Sequence, residues 1–228
     1  MNQHQKVITA AALALLFHTV GLVGMIFFDR SLFVQLTPLN MLVSLALLVW
    51  TQEGKDGSFW LFLGVCFVTG MLTEYSGVNY QLLFGEYVYG APLGPQVGNV
   101  PLIIGVNWFI MMMCCGVTVQ FLLNAVWNKV KDEDQPMRTD VGFWAIVLDG
   151  ALLATAFDWL MEPVAVKLGF WTWLGDGAIP FKNYWSWFLV SALLLLLFRK
   201  LPFPKHNQFA IHLLLIQTLF FLILRTYL

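Results

Sequence analysis

The feature that most constrains this chain is a succession of long apolar runs separated only by short connections. A helix needs about 20 mostly apolar residues to cross the hydrocarbon core of a bilayer. The predicted spans lie near residues 7–28, 33–50, 58–76, 100–127, 141–161, 184–198 and 208–227. The sequence therefore predicts an all-α, polytopic membrane bundle of about seven transmembrane helices, in which residues 1–228 form a single membrane domain.

The composition agrees with this fold class and narrows the partners. Apolar residues make up 59% of the chain and charged residues 11%, whereas soluble domains contain roughly 45–50% and about 25%. The formal net charge of −1 gives no reason to expect a nucleic-acid partner. We expect membrane lipid to surround the protein.

The lysines and arginines of the connections predict the orientation, because cytoplasmic loops carry an excess of them. Eight lie on one side of the predicted bundle: Lys6, Lys55, Lys129, Lys131, Arg138, Arg199, Lys200 and Lys205. Four lie on the other: Arg30, Lys167, Lys182 and Arg225. We expect a cytoplasmic N-terminus and an extracytoplasmic C-terminus. The run Asp132-Glu133-Asp134 would then be a solvated cytoplasmic connection rather than a magnesium–diphosphate site.

The middle of the chain contains an internal repeat. In each copy a glycine follows an acid by eleven residues, from Glu74 to Gly85 and from Asp158 to Gly169. Each glycine opens an aromatic run, and a later proline precedes a Trp-Phe pair by seven residues. The copies read Gly85-Glu86-Tyr87-Val88-Tyr89, Pro101, Trp108-Phe109 and Gly169-Phe170-Trp171-Thr172-Trp173, Pro180, Trp187-Phe188. An even number of crossings separates them, so we predict a parallel repeat of helix, aromatic hairpin-like loop, proline and helix at about 58–127 and 141–198.

Acids in or beside the predicted spans are candidate catalytic groups, because a charge inside a bilayer costs at least ~2.5–3.5 kcal/mol. The candidates are Glu74, Asp158, Asp149, Glu86 and Glu162. The repeat places Glu74 and Asp158 at equivalent positions, which predicts a shared cleft. Burial and mutual repulsion there favour one protonated carboxyl, which can act as a general acid. Glu162 shares a helix face with Asp158, and Asp149 points roughly the opposite way.

Aromatic and amide side chains near these acids are the candidate substrate-binding residues. They are Tyr75, Tyr87, Tyr89, Trp108, Trp159, Trp171, Trp173, Trp187, Asn107 and Asn183. Desolvated aromatic faces stabilise a cation by up to about 2 kcal/mol, so an acid among them suits alkene protonation and protection of the carbocation. The structural alternative is an interfacial aromatic belt with solvated acids.

Several motifs of other membrane chemistries are missing. The histidines form no cluster, and neither a Gly-x-Gly-x-x-Gly fingerprint nor an Asp-rich prenyltransferase motif is present. These gaps favour acid–base catalysis without a cofactor or a metal.

Residues 70–190 also carry a set of short motifs. They are Glu74-Tyr75-Ser76-Gly77, Phe84-Gly85-Glu86-Tyr87-Val88-Tyr89, Val100-Pro101, Asn107-Trp108, Phe157-Asp158-Trp159, Glu162-Pro163, Gly169-Phe170-Trp171-Thr172-Trp173, Ile179-Pro180 and Asn183-Tyr184-Trp185. In these the chain resembles the integral-membrane carotenoid biosynthesis proteins that include the bacterial and archaeal carotenoid hydratases. The resemblance implies hydration of the terminal 1,2 double bond of a ψ-end carotenoid, giving a tertiary alcohol. It also implies a lipophilic carotenoid substrate, a prokaryotic inner membrane and association with other carotenoid enzymes.

Other functions stay open on the sequence. The pattern is also similar to the small membrane lycopene cyclases, which begin with the same protonation but carry a Pro-x-Glu-Glu-like motif after the loop. The corresponding residues here are Pro101-Leu102-Ile103-Ile104 and Pro180-Phe181-Lys182-Asn183, without the acids. A third hypothesis is a transporter, since parallel repeats with intramembrane acids also occur in transporters. A fourth hypothesis is a scaffold that binds other pigment enzymes.

Overall fold

The computed structural model describes residues 1–130 and 139–228. Within those two ranges the chain forms eight α-helices and four short β-strands. The helices are α1 Gln3–Phe27, α2 Arg30–Gln35, α3 Thr37–Thr51, α4 Gly57–Tyr80, α5 Ile103–Val130, α6 Thr139–Lys167, α7 Phe181–Lys200 and α8 Gln208–Tyr227. The strands are β1 Tyr87–Tyr89, β2 Gln96–Val97, β3 Val100–Pro101 and β4 Trp171–Trp173. The acidic run at 132–134, with Lys131 and Arg138, lies outside the described residues.

Six helices of the described ranges, α1 and α4 to α8, are long and apolar enough to cross a bilayer. The all-α polytopic class predicted from the sequence is confirmed. The predicted span at 33–50 has a different form, because it is divided into the short helix α2 and the 15-residue helix α3. Pro38 lies in the first turn of α3, where its missing N–H costs no helical hydrogen bond. At about 1.5 Å per residue, α3 alone is shorter than the ~30 Å hydrocarbon core.

Contacts at the two ends of the bundle show that α2 and α3 together complete one passage. The side chain of Gln3, at the start of α1, donates to the backbone oxygen of Thr51, at the end of α3, over 2.6 Å. At the other end, the rings of Phe27 and Tyr227 lie 6.4 Å apart. The start of α1 and the end of α8 therefore lie at opposite ends, as seven passages require. Which end faces the cytoplasm stays a prediction.

The aromatic runs of the two predicted repeat units pair with each other. Strands β1 and β4 are antiparallel, with Tyr87 opposite Trp173, Val88 opposite Thr172 and Tyr89 opposite Trp171. Val88 and Thr172 occupy the same place in their respective units, so a two-fold axis between the units would pass between them. The expectation of a hairpin-like aromatic loop within each unit was wrong in this respect, because each run finds its partner in the other unit.

A second contact between the units lies deeper in the bundle. The indoles of Trp108 on α5 and Trp187 on α7 stack with ring centroids 4.2 Å apart and planes at 14°. These tryptophans also occupy equivalent places in the predicted repeat. Gly70 on α4 makes room for this stack, since a Cβ there would collide with the indole of Trp108. The contacts fit two units related by an axis along the bundle, and the unit boundaries stay a prediction.

The two glycines that open the aromatic runs have related but unequal backbones. Gly85 has φ of +141° and Gly169 has φ of +73°, and side chains rarely adopt positive φ. A Cβ on Gly85 would also meet Pro180 of the other unit, whereas one on Gly169 would meet nothing within 4 Å. Gly85 is therefore needed for a close approach between units, and Gly169 for its conformation alone.

The pairing of β1 with β4 predicts that a disulfide can be engineered between the two strands. Val88 and Thr172 are exposed and directly opposed, and Cα atoms of opposed antiparallel residues lie about 4.5–5.5 Å apart, within the range that a disulfide spans. Oxidation of the Val88→Cys/Thr172→Cys variant should give a linked peptide pair, detected by mass spectrometry. The control Val88→Cys/Val97→Cys should give none, because Val97 pairs with Val100. Equal linkage in both variants would refute the pairing.

Candidate active site

Three of the five candidate acids line one cavity. Glu74 comes from α4, and Asp158 and Glu162 come from α6; their exposed fractions are 5%, 1% and 2%. The cavity has a volume of about 240 Å³ and is bounded by all the long helices together with α3, β1 and β4. Typical small-molecule sites occupy roughly 300–1,000 Å³, so the space suits one end of a longer molecule.

Glu74 is held by ring donors of its own unit. The hydroxyls of Tyr87 and Tyr89 both donate to Oε2, over 2.5 and 2.7 Å, and the indole N–H of Trp108 donates to Oε1 over 3.2 Å. Tyr87 and Tyr89 reach the same atom because residues i and i+2 of a strand lie on one face. Burial first, and then the neighbouring Glu74 carboxyl, raise the pKa of both phenols above the usual value. Both therefore stay protonated and can donate.

Glu162 is held in the same manner by the other unit. The indole N–H groups of Trp171 and Trp173, on one face of β4, both donate to Oε2 over 3.0 Å. The side-chain amide of Asn183 on α7 donates to Oε1 over 3.3 Å. The paired strands thus turn four aromatic donors towards the acids, while Val88 and Thr172 point outward.

Asp158 shares its donor with Glu162 and keeps one oxygen without a donor. The amide of Asn183 donates to Oδ2 over 2.7 Å. Oδ1 is buried and has no hydrogen-bond partner within residues 1–130 and 139–228. Of the six carboxyl oxygens of the three acids, it alone receives no hydrogen bond from the described part of the chain.

The two units differ in which acid receives the ring donors. The repeat aligns Glu74 with Asp158, yet the strand of the second unit donates to Glu162, one helical turn later. Both Asp158 and Glu162 face the cavity because they are four residues apart on α6. Glu162 therefore plays the structural part of Glu74, and Asp158 is left with a different environment.

The other two candidate acids lie away from this cluster. Asp149 on α6 and Glu86 beside β1 are both exposed, and neither lines the cavity. Glu86 contributes its backbone oxygen, which accepts the N–H of Leu174. The structure therefore brings Glu74, Asp158 and Glu162 together and separates Asp149 and Glu86 from them.

The candidate substrate-binding residues also divide into some that line the cavity and some that do not. Those that line the cavity are Tyr87, Tyr89, Trp171, Trp173, Trp187, Asn107 and Asn183. Trp108 lies behind the wall, fully buried between Trp187 and Glu74. Tyr75 and Trp159 face outward, with exposed fractions of 39% and 55%, and Trp159 lies beneath the guanidinium of Arg225. The lining rings form an aromatic wall beside the acids.

The cavity also contains polar residues that the sequence interpretation did not single out. They are His18 on α1, Thr37, Asn40 and Ser44 on α3, and Gln217 on α8. Each stands inside an apolar run outside residues 70–190, and a polar side chain within a span is itself a signal of function. Thr37, Asn40 and Ser44 follow one face of α3 at helical spacing, whereas His18 and Gln217 are far from them in sequence.

The arrangement combines a carboxyl oxygen without a donor, an aromatic wall and an apolar remainder. These are the elements of a site that protonates an unsaturated hydrocarbon and stabilises the cation. Within the described residues, no group of three or more His, Cys, Asp or Glu side chains could hold a metal ion.

Comparisons with known proteins place the chain in context. The sequence model of a family described as "Carotenoid biosynthesis protein" matches residues 33–228. A protein named bisanhydrobacterioruberin hydratase, from Haloarcula japonica, is 28% identical over 128 residues, covering 55% of this chain and 39% of the relative. The matched part therefore spans well under two thirds of that relative. No solved structure gives a significant match.

Replacing Asn183 by leucine should destabilise the folded protein. The change leaves Oδ2 of Asp158 and Oε1 of Glu162 buried without their amide donor, at a cost of about 1–3 kcal/mol. Denaturant or thermal unfolding in detergent measures it. The matched control Asn124→Leu removes an exposed amide and should stay within about 0.5 kcal/mol of the parent. Equal stability of the two variants would show that the Asn183 bridge contributes nothing.

Proposed function

The chain belongs to the carotenoid biosynthesis protein family, and on this premise we propose that it hydrates the terminal 1,2 double bond of a ψ-end carotenoid. The observation that carries the proposal is the buried Asp158, whose Oδ1 receives no hydrogen bond from any described residue, in a cavity walled by aromatic rings. The name of the Haloarcula relative supports hydration as the outcome. The reaction needs no cofactor, because a proton and a water molecule are the only additions.

The first step is proton transfer from Asp158 to the alkene. A proton resides on the carboxyl oxygen that receives no donor, which is Oδ1, since Oδ2 already accepts the amide of Asn183. The proton adds to the CH carbon of the terminal double bond. The two alkene electrons form the new C–H bond, and a tertiary cation remains on the carbon that carries the two methyl groups.

The second step is stabilisation and capture of that cation. Trp171, Trp173, Trp187 and the tyrosines line the cavity, and a desolvated aromatic face stabilises a cation by about 2 kcal/mol. Glu74 presents oxygens whose position three hydrogen bonds fix. Water then adds to the tertiary carbon and loses a proton, which gives the tertiary alcohol and restores the proton balance.

The size of the cavity supports entry of one end group rather than passage of a whole molecule. A space of about 240 Å³ is below the roughly 300–1,000 Å³ of typical ligand sites. The long polyene would extend outward between helices into the bilayer. Ring closure by an internal double bond, as in a cyclase, would start from the same cation, so the two reactions differ only in the nucleophile.

The product separates the candidate functions. Expressed in a host that accumulates an acyclic or half-cyclised carotenoid, the protein should yield pigment heavier by one water with a nearly unchanged absorption spectrum. A product of unchanged mass with a blue-shifted spectrum would indicate a cyclase. Unchanged pigment would favour a transporter or scaffold. Mass spectrometry and absorbance of one extract distinguish these outcomes, and any result other than the hydrate contradicts the proposal.

Amide substitutions test the roles of the acids. Asp158→Asn keeps the size and hydrogen-bonding shape but removes the transferable proton, so turnover should fall by ~10²-fold or more. Glu74→Gln should lower turnover less, because the proposed donor remains. Asp149→Asn and Glu86→Gln are matched controls on exposed acids outside the cavity and should keep parental turnover. Near-parental turnover of a folded Asp158→Asn protein would rule out this donor.

A further inference from the structure

The cavity has a second polar cluster that the proposed protonation does not use. Thr37 and Asn40 on α3, Gln217 on α8 and His18 on α1 all line it; we refer to these four residues as the acceptor cluster. They belong to the first, second and last passages of the chain. The proton donor Asp158 is on α6, and the ring donors are on β1, β4 and α5.

Three members of the acceptor cluster have buried oxygens without partners. Oγ1 of Thr37, Oδ1 of Asn40 and Oε1 of Gln217 make no hydrogen bond within the described ranges of the chain. Buried polar groups are satisfied in the great majority of native structures, by protein or by ordered water. Several unsatisfied oxygens around one cavity therefore indicate a bound molecule that donates hydrogen bonds to them.

The chemistry of the cluster defines that molecule further. Nδ1 of His18 lies 2.8 Å from the backbone oxygen of Ala14, and since a carbonyl only accepts, Nδ1 is the donor. Nε2 of the neutral ring is then an acceptor, as are the amide oxygens of Asn40 and Gln217. The ligand must donate at least two hydrogen bonds. Water does so, and an unsubstituted polyene end group donates none.

We propose that the acceptor cluster binds the water molecule that captures the carbocation, an inference that rests on the proposed hydratase function. When Nε2 of His18 and one amide oxygen of the cluster accept the two water protons, a lone pair of the water oxygen is free to attack the tertiary carbon. As the C–O bond forms, one O–H bond breaks and its proton passes to Nε2 of His18. Transfer of this proton to the Asp158 carboxylate restores both groups, and the sum is alkene plus water to alcohol.

Asn40 and Gln217 are thus positioning residues for water, and their loss should change the fate of the cation without preventing its formation. The test uses purified full-length protein in detergent, an acyclic carotenoid and D₂O, in which Asp158 delivers deuterium. Asn40→Leu and Gln217→Leu should each form at least about tenfold less hydrate. The recovered alkene and its double-bond isomers should still contain deuterium, because the cation can lose a proton instead of capturing water.

Control variants make the result specific. Thr218→Val changes the neighbour of Gln217, which bonds to its own helix at Leu214 and does not line the cavity, and should leave the hydrate yield unchanged. Asp158→Asn should lose both the hydrate and the deuterium exchange, since it removes the proposed donor. A wild-type protein that forms no hydrate would instead contradict the proposed function itself, which is a separate result.

Three outcomes would overturn the water site while leaving the hydratase function intact. One is normal hydrate formation by both leucine variants. Another is a loss of hydrate and of deuterium exchange together in folded variants, which would assign the residues a general structural role. A defect confined to substrates that already carry a hydroxyl group would also overturn it, because the cluster would then recognise the substrate alcohol.

Discussion

Hydrogen bonds from aromatic rings to buried carboxyls are the interaction on which this site depends. A carboxyl within an apolar bundle loses its hydration and needs donors that the bilayer cannot provide. Tyr87, Tyr89 and Trp108 supply them to Glu74, and Trp171 and Trp173 supply them to Glu162. Because Tyr87, Tyr89, Trp171 and Trp173 also line the cavity, these four side chains both satisfy the acids and form part of the cavity wall.

This double use follows from the strand pair β1–β4. A two-stranded ribbon directs alternate side chains to one face, and here that face carries four donors in two short segments. The aromatic rings contact across the pair, with centroids 5.1 Å apart for Tyr87 and Trp173. A longer loop without this pairing would leave the rings free to rotate away from the acids.

Much of this architecture was predictable from the sequence because it depends on periodicity and spacing. The apolar runs predicted the helices, and the recurring acid, glycine, proline and Trp-Phe spacings predicted which segments would meet. The partner of Trp171 and Trp173 was not predictable, because Asp158 and Glu162 share a helix face and only ring length and orientation decide which one the indoles reach. The division of the second span was visible as Thr37-Pro38, but a proline is also compatible with a continuous, kinked span.

The residues of the acceptor cluster could not be predicted from the sequence for a different reason. His18, Asn40 and Gln217 lie in three separate passages, and no local pattern links them. They line one cavity because α1, α3 and α8 pack together, and this packing depends on the whole bundle. The two residues that donate to the acids' oxygens from a helix, Trp108 and Asn183, were both recognised beforehand, because each follows a repeat proline.

The pairing of β1 with β4 gives the candidate active site the character of a subunit interface within a single chain. Glu74 and its donors come from the first unit, Asp158 and Glu162 come from the second, and the Trp108–Trp187 stack joins them. Neither unit encloses the cavity alone. A small rotation of one unit against the other would therefore alter the distance between Asp158 and the opposite wall, so residues far from the cavity that set this rotation would influence the proposed reaction.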